Sequence, residues 1–168
     1  MAKKIESLTF LSKGRRNIMS DEKKSILIVD DEESIREIFR RILEVNGYNV
    51  ETAETGLQAV EKFKEKYYNL SLLDIRLPDM EGTELLNKLH KQSPKTMKIM
   101  VTGYPTLENA MKSLNIGADA YVVKPVDPSE LVKTINVKLQ EQEAAEAMGQ
   151  EKIDEWITTR LQKLEKKI

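Results

Sequence analysis

Five short, mostly apolar runs alternate with five longer amphipathic segments between Ser25 and Leu139, and this alternation strongly limits the possible folds. The runs are SILIV (25–29), NVETA (49–53), NLSLLD (69–74), KIMVT (98–102) and AYVVK (120–124). Runs of this length are typical of strands that are covered on both faces. Their alternation with helical segments predicts an α/β fold, a doubly wound five-stranded parallel sheet with helices on both sides.

The segments between the runs repeat apolar residues with the period of helices that bury one face. The first segment shows this pattern at Ile35, Ile38, Phe39, Ile42 and Leu43. The fourth segment is predicted to turn four side chains inward, namely Leu107, Ala110, Met111 and Leu114. The fifth segment follows KPVDP, and we expect its helix to begin at a cap formed by Asp127 or Ser129.

The two ends of the chain differ from the repeated region, which we predict to be one domain over residues 25–139. Residues 1–24 contain seven basic and three acidic side chains without periodicity, and we expect a flexible basic leader there. Met19 offers a second start, which leaves open whether residues 1–18 belong to the native protein. Residues 140–168 are predicted to form a helical tail that Gly149 loosens or divides.

The tail carries an apolar stripe, which consists of Ile157, Leu161, Leu164 and Ile168. A stripe on so short a segment needs a partner, so we expect the tail to dimerise or to dock another protein. The stripe is shorter than the three or four heptads that indicate a coiled coil.

Composition excludes several classes of function. The net charge of −1 gives no overall attraction to nucleic acid or to anionic membranes. The absence of cysteine excludes disulfides and thiolate chemistry. Apolar runs fall short of the roughly 18–20 residues that span a bilayer. We therefore expect a cytoplasmic protein without membrane insertion.

Polar side chains that could bind a ligand or react follow four of the predicted strands. Asp30 and Asp31 follow the first strand, Asp74 ends the third, Thr102 ends the fourth and Lys124 ends the fifth. Ligands of doubly wound sheets bind beyond the carboxyl ends of the strands, where these side chains would meet. The sequence therefore predicts three carboxylates, a hydroxyl and an ammonium at one edge of the sheet.

Three neighbouring carboxylates repel one another unless a cation compensates their charge. Only oxygen ligands are on offer, and these favour Mg²⁺, with Mn²⁺ as a substitute. With an anionic phosphoryl group added, the cation and Lys124 would neutralise it, Thr102 would donate a hydrogen bond, and one carboxylate would attack it. Covalent catalysis by an aspartate is established chemistry of this kind.

The chain contains four motifs, ILIVDDEE, LLDIRLPDMEG, VTGY and GADAYVVKP. In their order and in the intervals between them, the chain resembles the receiver domain of two-component response regulators. The resemblance covers Ser25 to about Leu139. It implies a flavodoxin-like (βα)5 fold, here of a stand-alone type with a C-terminal helical extension. It also implies phosphorelay signal transduction through an aspartyl phosphate.

The resemblance assigns roles to the residues at the sheet edge. Asp74 would be the phospho-acceptor. The Mg²⁺ ligands would be Asp30, Asp31, Asp74 and the backbone carbonyl of Arg76. Thr102 and Lys124 would contact the phosphoryl oxygens.

The resemblance also implies a switch. Thr102 would move toward phosphorylated Asp74, and Tyr121 would turn inward behind it. The surface of the fourth helix, the fifth strand and the fifth helix would then change. Arg76 and Tyr104 would tune the lifetime of the phosphorylated state, and the Lys124–Pro125 bond would be cis.

The implied partners are a histidine kinase or phosphotransfer protein and a downstream protein. Direct binding of nucleic acid is not expected, since residues 137–168 carry six basic and seven acidic side chains. A homodimer could form through the tail or through the surface of the fourth helix, fifth strand and fifth helix. The protein would not be an enzyme, because only its own phosphorylation and dephosphorylation would be self-catalysed.

Two rival interpretations remain open. One is a scaffold that keeps the receiver fold without being phosphorylated. The other is a metal-dependent phosphatase or dehalogenase with an aspartate nucleophile, although such enzymes typically place a second Asp where this chain has Arg76, which cannot act as an acid or base near neutral pH. A dinucleotide-binding fold is excluded because no G-x-G-x-x-G follows the first strand.

Overall fold

A computed structural model describes residues 22–165, and within this range strands and helices alternate strictly. The strands are β1 (Ser25–Val29), β2 (Asn49–Ala53), β3 (Leu70–Leu73), β4 (Met97–Thr102) and β5 (Ala120–Val123). The helices are α1 (Glu33–Val45), α2 (Gly56–Glu65), α3 (Gly82–Gln92), α4 (Leu107–Ile116) and α5 (Pro128–Glu165). Most of the predicted basic leader lies outside the described residues.

The five strands form one parallel sheet in the order β2-β1-β3-β4-β5. After β1 the chain adds β2 on one side and then returns to add β3 on the other. The winding therefore reverses between β1 and β3, which creates a crevice at the carboxyl ends of these strands. The predicted doubly wound α/β fold is confirmed.

Successive residues of each strand point to opposite faces of the sheet. Nearly every residue of β1, β3 and β4 is buried, so both faces of these central strands are covered. On one face, Val29, Leu73 and Met100 belong to a core cluster with side chains of α2 and α3. On the other face, Ile28 and Leu72 pack with side chains of α1 and α5. Helices on both faces explain why the strands read as continuous apolar runs.

The predicted inward face of α4 is wrong for three of its four residues, and only Ala110 is partly buried. Leu107, Met111 and Leu114 are 78%, 55% and 54% exposed, whereas Ser113 is fully buried. The end of α4 lies close to α3, where a Cβ added at Gly117 would lie 2.7 Å from the His90 ring. Ser113, and Ile116 near the end of the helix, face the protein in this close packing, and the other large apolar side chains are left in solvent.

Helix α5 extends far beyond the sheet. Its first turn is capped by Asp127, whose Oδ1 accepts hydrogen bonds from the backbone N–H groups of Ser129 (2.8 Å) and Glu130 (3.1 Å). The helix has 38 residues, a length of about 57 Å. The expected break at Gly149 does not occur, because an interior glycine costs only about 1 kcal/mol relative to alanine and keeps its hydrogen bonds.

Contact between α5 and the sheet is confined to its first half. Leu131, Ile135, Leu139 and Gln142 are buried, whereas residues 143–160 are exposed. Within the described part of the chain, no helix is both long and apolar enough to cross a membrane.

Candidate functional site

Three acidic side chains converge at the carboxyl ends of β1 and β3. Carboxylate oxygens of Asp30, Asp31 and Asp74 lie within 4.8 Å of one another. The backbone fixes two of them, because Asp30 N–H donates to the carbonyl of Ala53 (3.1 Å) and Asp74 N–H to that of Val29 (2.9 Å). These bonds continue the strand pairing by one residue and thereby position the side chains.

Lys124 reaches this acidic group from the end of β5. Its Nζ donates to Asp30 Oδ2 at 2.6 Å and to Asp74 Oδ2 at 3.3 Å. Burial by itself disfavours the ammonium, but the hydrogen bond and charge of Asp30, helped by Asp74, raise the pKa of Lys124 above its usual value. Lys124 is therefore a fixed positive charge between two carboxylates.

Asp74 is the most unusual of the acids. It is 6% exposed, and burial raises its pKa, with Lys124 opposing and Asp30 reinforcing that shift. Its Oδ2 accepts from Lys124, while its Oδ1 is buried without a hydrogen-bond partner among the described residues. A buried acceptor without a partner costs about 1–3 kcal/mol, and more when charged, so this oxygen is poised to gain a ligand.

Thr102 lies at the end of β4 and is fully buried. Its Oγ1 accepts a hydrogen bond from Tyr104 N–H at 3.1 Å. The Tyr104 ring in turn stacks under the guanidinium of Arg76, with 3.7 Å between Arg76 Cζ and the ring centroid. The loops after β3 and β4 are thus joined by a cation–π contact beside the acidic group.

Tyr121 lies on β5, where its register places it beside Met100 of β4. It is partly buried against the core cluster of α2 and α3, and burial raises the pKa of its phenol. The predicted cis peptide bond at Lys124–Pro125 is confirmed.

The loop from β3 to α3 is held by contacts that the sequence did not reveal. Asp79 accepts hydrogen bonds from the N–H groups of Gly56 (2.9 Å) and Leu57 (2.8 Å) at the start of α2. Gly82 N–H donates to Ile75 O, and a Cβ at Gly82 would lie 2.0 Å from the Asp74 carbonyl oxygen. Only glycine fits there, and the loop that follows Asp74 is therefore closed tightly.

The acidic side chains at the sheet edge fit the family to which the sequence is similar. The family model of the response regulator receiver domain matches residues 26–136. The chain belongs to this family. It is a receiver domain of the kind found in two-component systems.

Solved receiver structures share the fold of this receiver. A receiver domain protein (CheY-like) from Methanospirillum hungatei JF-1 is 53% identical, with a TM-score of 0.73 over 74% of this chain and 99% of that one. The beryllofluoride-activated receiver domain dimer of NtrC4 is 33% identical, with a TM-score of 0.68 over 70% of this chain and 98% of that one.

Curated relatives are longer proteins that include a receiver. The transcriptional regulatory protein ZraR of Klebsiella oxytoca is 38% identical over 72% of this chain, and the chain covers 27% of its length. The probable transcriptional regulator ycf27 of Pyropia yezoensis is 39% identical over 73% of this chain, and the chain covers 50% of its length. The chain thus spans half or less of these relatives.

Receiver domains bind Mg²⁺ at an acidic pocket, and the residues of this receiver fit such an ion. Among the described residues, Lys124 forms ion pairs with Asp30 and Asp74 but not with Asp31, and Arg36 donates only to the backbone carbonyls of Asp30 and Asp31, so the three carboxylates keep an excess of negative charge. The unpartnered Oδ1 of Asp74 offers a free oxygen ligand. Oxygen donors and excess negative charge are what a hard divalent cation requires.

Proposed function

We propose that Asp74 accepts a phosphoryl group from the phosphohistidine of a histidine kinase or a phosphotransfer protein. The observation that carries this proposal is the position of Asp74 Oδ1, a buried oxygen without a partner that lies beside two further carboxylates and Lys124. A nucleophile in phosphoryl transfer needs mainly a fixed position and neutralisation of charge around it.

In the proposed reaction, one carboxylate oxygen of Asp74 attacks the phosphorus atom while the other stays available to the metal ion. A phosphorus–oxygen bond forms while the phosphorus–nitrogen bond to the imidazole breaks, and the electron pair stays with the imidazole nitrogen. Lys124 gives up part of its contact with Asp74 and binds a phosphoryl oxygen. Bound Mg²⁺ would supply charge neutralisation, held by Asp30, Asp31, Asp74 and the carbonyl of Arg76.

The signal would then pass through Thr102 to the outer surface. Its hydroxyl would exchange the hydrogen bond from Tyr104 N–H for one that it donates to a phosphoryl oxygen. Tyr121 would turn into the space that Thr102 leaves. Such a local charge event shifts the population between two arrangements of the surface formed by α4, β5 and α5.

We propose that this surface binds a downstream protein. Four of its exposed side chains are large and apolar, namely Leu107, Met111, Leu114 and Val123. Exposed apolar groups that lie together mark sites of protein–protein contact. Nucleic acid is not part of the proposed output of this receiver.

Incubation with acetyl phosphate and Mg²⁺, followed by intact mass measurement, tests the proposal. We expect a gain of one phosphoryl group in the wild-type chain, none in Asp74→Asn, and none when a chelator removes Mg²⁺. Asp154→Asn makes the same acid-to-amide change on an exposed turn of α5 and should retain the gain.

Three outcomes would contradict the proposal. A mass gain that persists in Asp74→Asn would place the modification elsewhere. Absence of any gain in the wild-type chain would favour the unphosphorylated scaffold. Sustained release of phosphate from a generic phosphate ester would favour the phosphatase.

A further inference from the structure

The second half of α5 exposes large apolar side chains that nothing in the described domain covers. Met148, Ile153, Trp156 and Ile157 are 59%, 54%, 66% and 44% exposed. From residue 144 to 165 the helix continues for about 33 Å beyond its last buried residue, Gln142. Helices in proteins gain most of their stability from packing of an apolar face rather than from helix propensity, and this half of α5 has no such packing within the described domain.

Charge along this part of the chain is divided into two halves. Residues 141–155 contain six acidic side chains and one basic side chain. Residues 156–168 contain four basic side chains and one acidic side chain. The boundary between the halves falls at Glu155 and Trp156, next to the largest exposed apolar side chain.

We propose that the second half of α5 pairs with the same segment of a second copy of this chain, in antiparallel orientation. In that orientation each acidic half lies along the basic half of the other copy, and both apolar faces are buried. A parallel pair would place acidic against acidic and basic against basic along its whole length, which is destabilising at helix contacts.

The charge boundary also sets the register of the pair. With the twofold axis near residue 155, Ile153 of one copy lies opposite Ile157 of the other, and the two Trp156 side chains lie near the centre. Ile153, Trp156 and Ile157 follow one another at i, i+3 and i+4 and therefore share one side of the helix. The two receivers stand at opposite ends of this helix pair.

This inference rests on the helix alone and not on phosphorylation of Asp74, so the two proposals can fail independently. The first measurement is analytical ultracentrifugation of the full chain across a concentration series. We expect a monomer–dimer equilibrium that weakens as salt is raised, because salt screens exposed charges over about 8–10 Å. A monomer at every concentration would overturn the proposal.

Spin labels distinguish the two orientations, since the chain has no cysteine of its own. Single labels are placed at Ala144→Cys and at Thr158→Cys, both off the side of the helix that carries Ile153. In the antiparallel pair, the labels on the two copies are separated along the helix axis by about 33 Å at position 144 and by about 9 Å at position 158. The label-to-label distance is therefore clearly longer at position 144. A parallel pair would give similar distances at both positions and would refute the antiparallel orientation.

Charge reversal gives an independent test with a matched rescue. Arg160→Glu with Lys163→Glu should weaken dimerisation at least tenfold. Adding Glu146→Lys and Gln150→Lys to the same chain should restore it, because in this register position 150 of one copy lies opposite position 160 of the other, and position 146 lies next to position 163, so that opposite charges meet again. Failure of the rescue, with helix content and acetyl phosphate labelling unchanged, would show that complementary charge does not hold the pair together.

Discussion

Asp74 shows how one charged residue can be accommodated at the end of a buried apolar strand. Its neighbours from Leu70 to Ile75 are buried, and its carboxylate is itself only 6% exposed. A buried charge is tolerated when another charge compensates it, here Lys124 at 3.3 Å. The compensation is incomplete, because Lys124 is shared with Asp30, and this leaves Asp74 able to take up a further ligand.

Arg76 and Tyr104 provide a prediction at the residue scale. Their stack joins the loops that follow Asp74 and Thr102, and we propose that it limits the approach of water to an aspartyl phosphate. A cation–π contact at an exposed position contributes about 0.5–1 kcal/mol. We therefore expect Tyr104→Ala to shorten the half-life of the phosphorylated protein about two- to fivefold, measured by loss of the phosphoryl mass.

Tyr104→Phe is the matched control, since it keeps the ring and should leave the half-life unchanged. Arg76→Ala combined with Tyr104→Ala should have no larger effect than the stronger single change. Additive effects of the two changes would show that they act separately rather than through the stack.

Asp79 provides a second prediction, on the binding of Mg²⁺. Its carboxylate ties the loop that carries the Arg76 carbonyl to the start of α2. Residues that hydrogen-bond directly to metal ligands typically contribute 10–100-fold in metal affinity. Asp79 does not contact a ligand but holds the loop that carries one, so its contribution should be smaller. We expect Asp79→Ala to weaken Mg²⁺ binding several-fold, up to about tenfold, in calorimetric titrations.

The matched control for Asp79 is Thr55→Ala. Thr55 caps the same helix by accepting a hydrogen bond from Gln58 N–H at 3.1 Å, but it has no such bond to the loop. Its loss should lower stability while leaving the affinity for Mg²⁺ unchanged. Equal losses of affinity in the two variants would assign the effect to α2 rather than to the loop.

At the scale of elements, β2 is an edge strand that is stabilised by charge as well as by apolar packing. Four of its five residues are partly or fully exposed, and only Ala53 is buried. Glu51 accepts hydrogen bonds from Lys66, Tyr68 (2.9 Å) and Lys62 (3.1 Å). These contacts, with Lys66 first among them, lower the pKa of Glu51 to about 2.

The lowered pKa predicts how stability changes with pH. Because the folded pKa lies below the unfolded one, the Glu51 charge stabilises the fold above about pH 4.5, and this contribution is lost as pH falls toward 2. The side chain is 38% exposed, so solvent screening reduces the effect to about 1 kcal/mol. Urea unfolding should show Glu51→Gln less stable than wild type at pH 7, with the difference shrinking below pH 4.

Glu44→Gln removes the same charge from a nearby exposed position and should show no such convergence. A difference between Glu51→Gln and wild type that stays constant from pH 7 to pH 3 would contradict the role of the carboxylate charge.

At the scale of the whole molecule, Gln142 joins α5 to the amino ends of the strands, opposite the acidic site. It is 4% exposed, and the two N–H groups of its Nε2 lie within hydrogen-bond distance of three acceptors, Lys95 O (2.7 Å), Asn69 O (2.9 Å) and Tyr67 Oη (3.0 Å). An ion pair between Lys24 and Glu143 (2.9 Å) lies one residue further on. The long helix therefore leaves the receiver from a fixed point.

We expect Gln142→Ala to destabilise the receiver by about 1–2 kcal/mol, because it removes a buried amide that donates to the partly buried carbonyls of Lys95 and Asn69. Urea unfolding of the full chain measures the loss. Gln140→Ala changes an exposed residue of the same helix and should have almost no effect. Equal stability of the Gln142→Ala variant and wild type would show that α5 is not anchored through this side chain.

The sequence by itself determined the sheet, its strands and the order of alternation. A short continuous apolar run indicates a strand that is buried on both faces, and an apolar residue every three or four positions indicates a helix that is buried on one face. Both patterns are visible within a single segment of the sequence. The residues at the strand ends could also be named in advance, since parallel strands bring their carboxyl ends together. Asp30, Asp31, Asp74 and Lys124 are found together at that edge.

The tertiary structure decided what local patterns leave ambiguous. The pattern of α4 indicates an apolar face, but close packing against α3 put small Ser113 inside and Met111 outside. Gln142 continues the buried series Leu131, Ile135 and Leu139, yet only the fold shows the carbonyls that receive its hydrogen bonds. The contact of Asp79 with α2 spans 23 residues. Such contacts depend on which elements become neighbours, and that is decided by the free energy of the whole packed molecule rather than by any one segment.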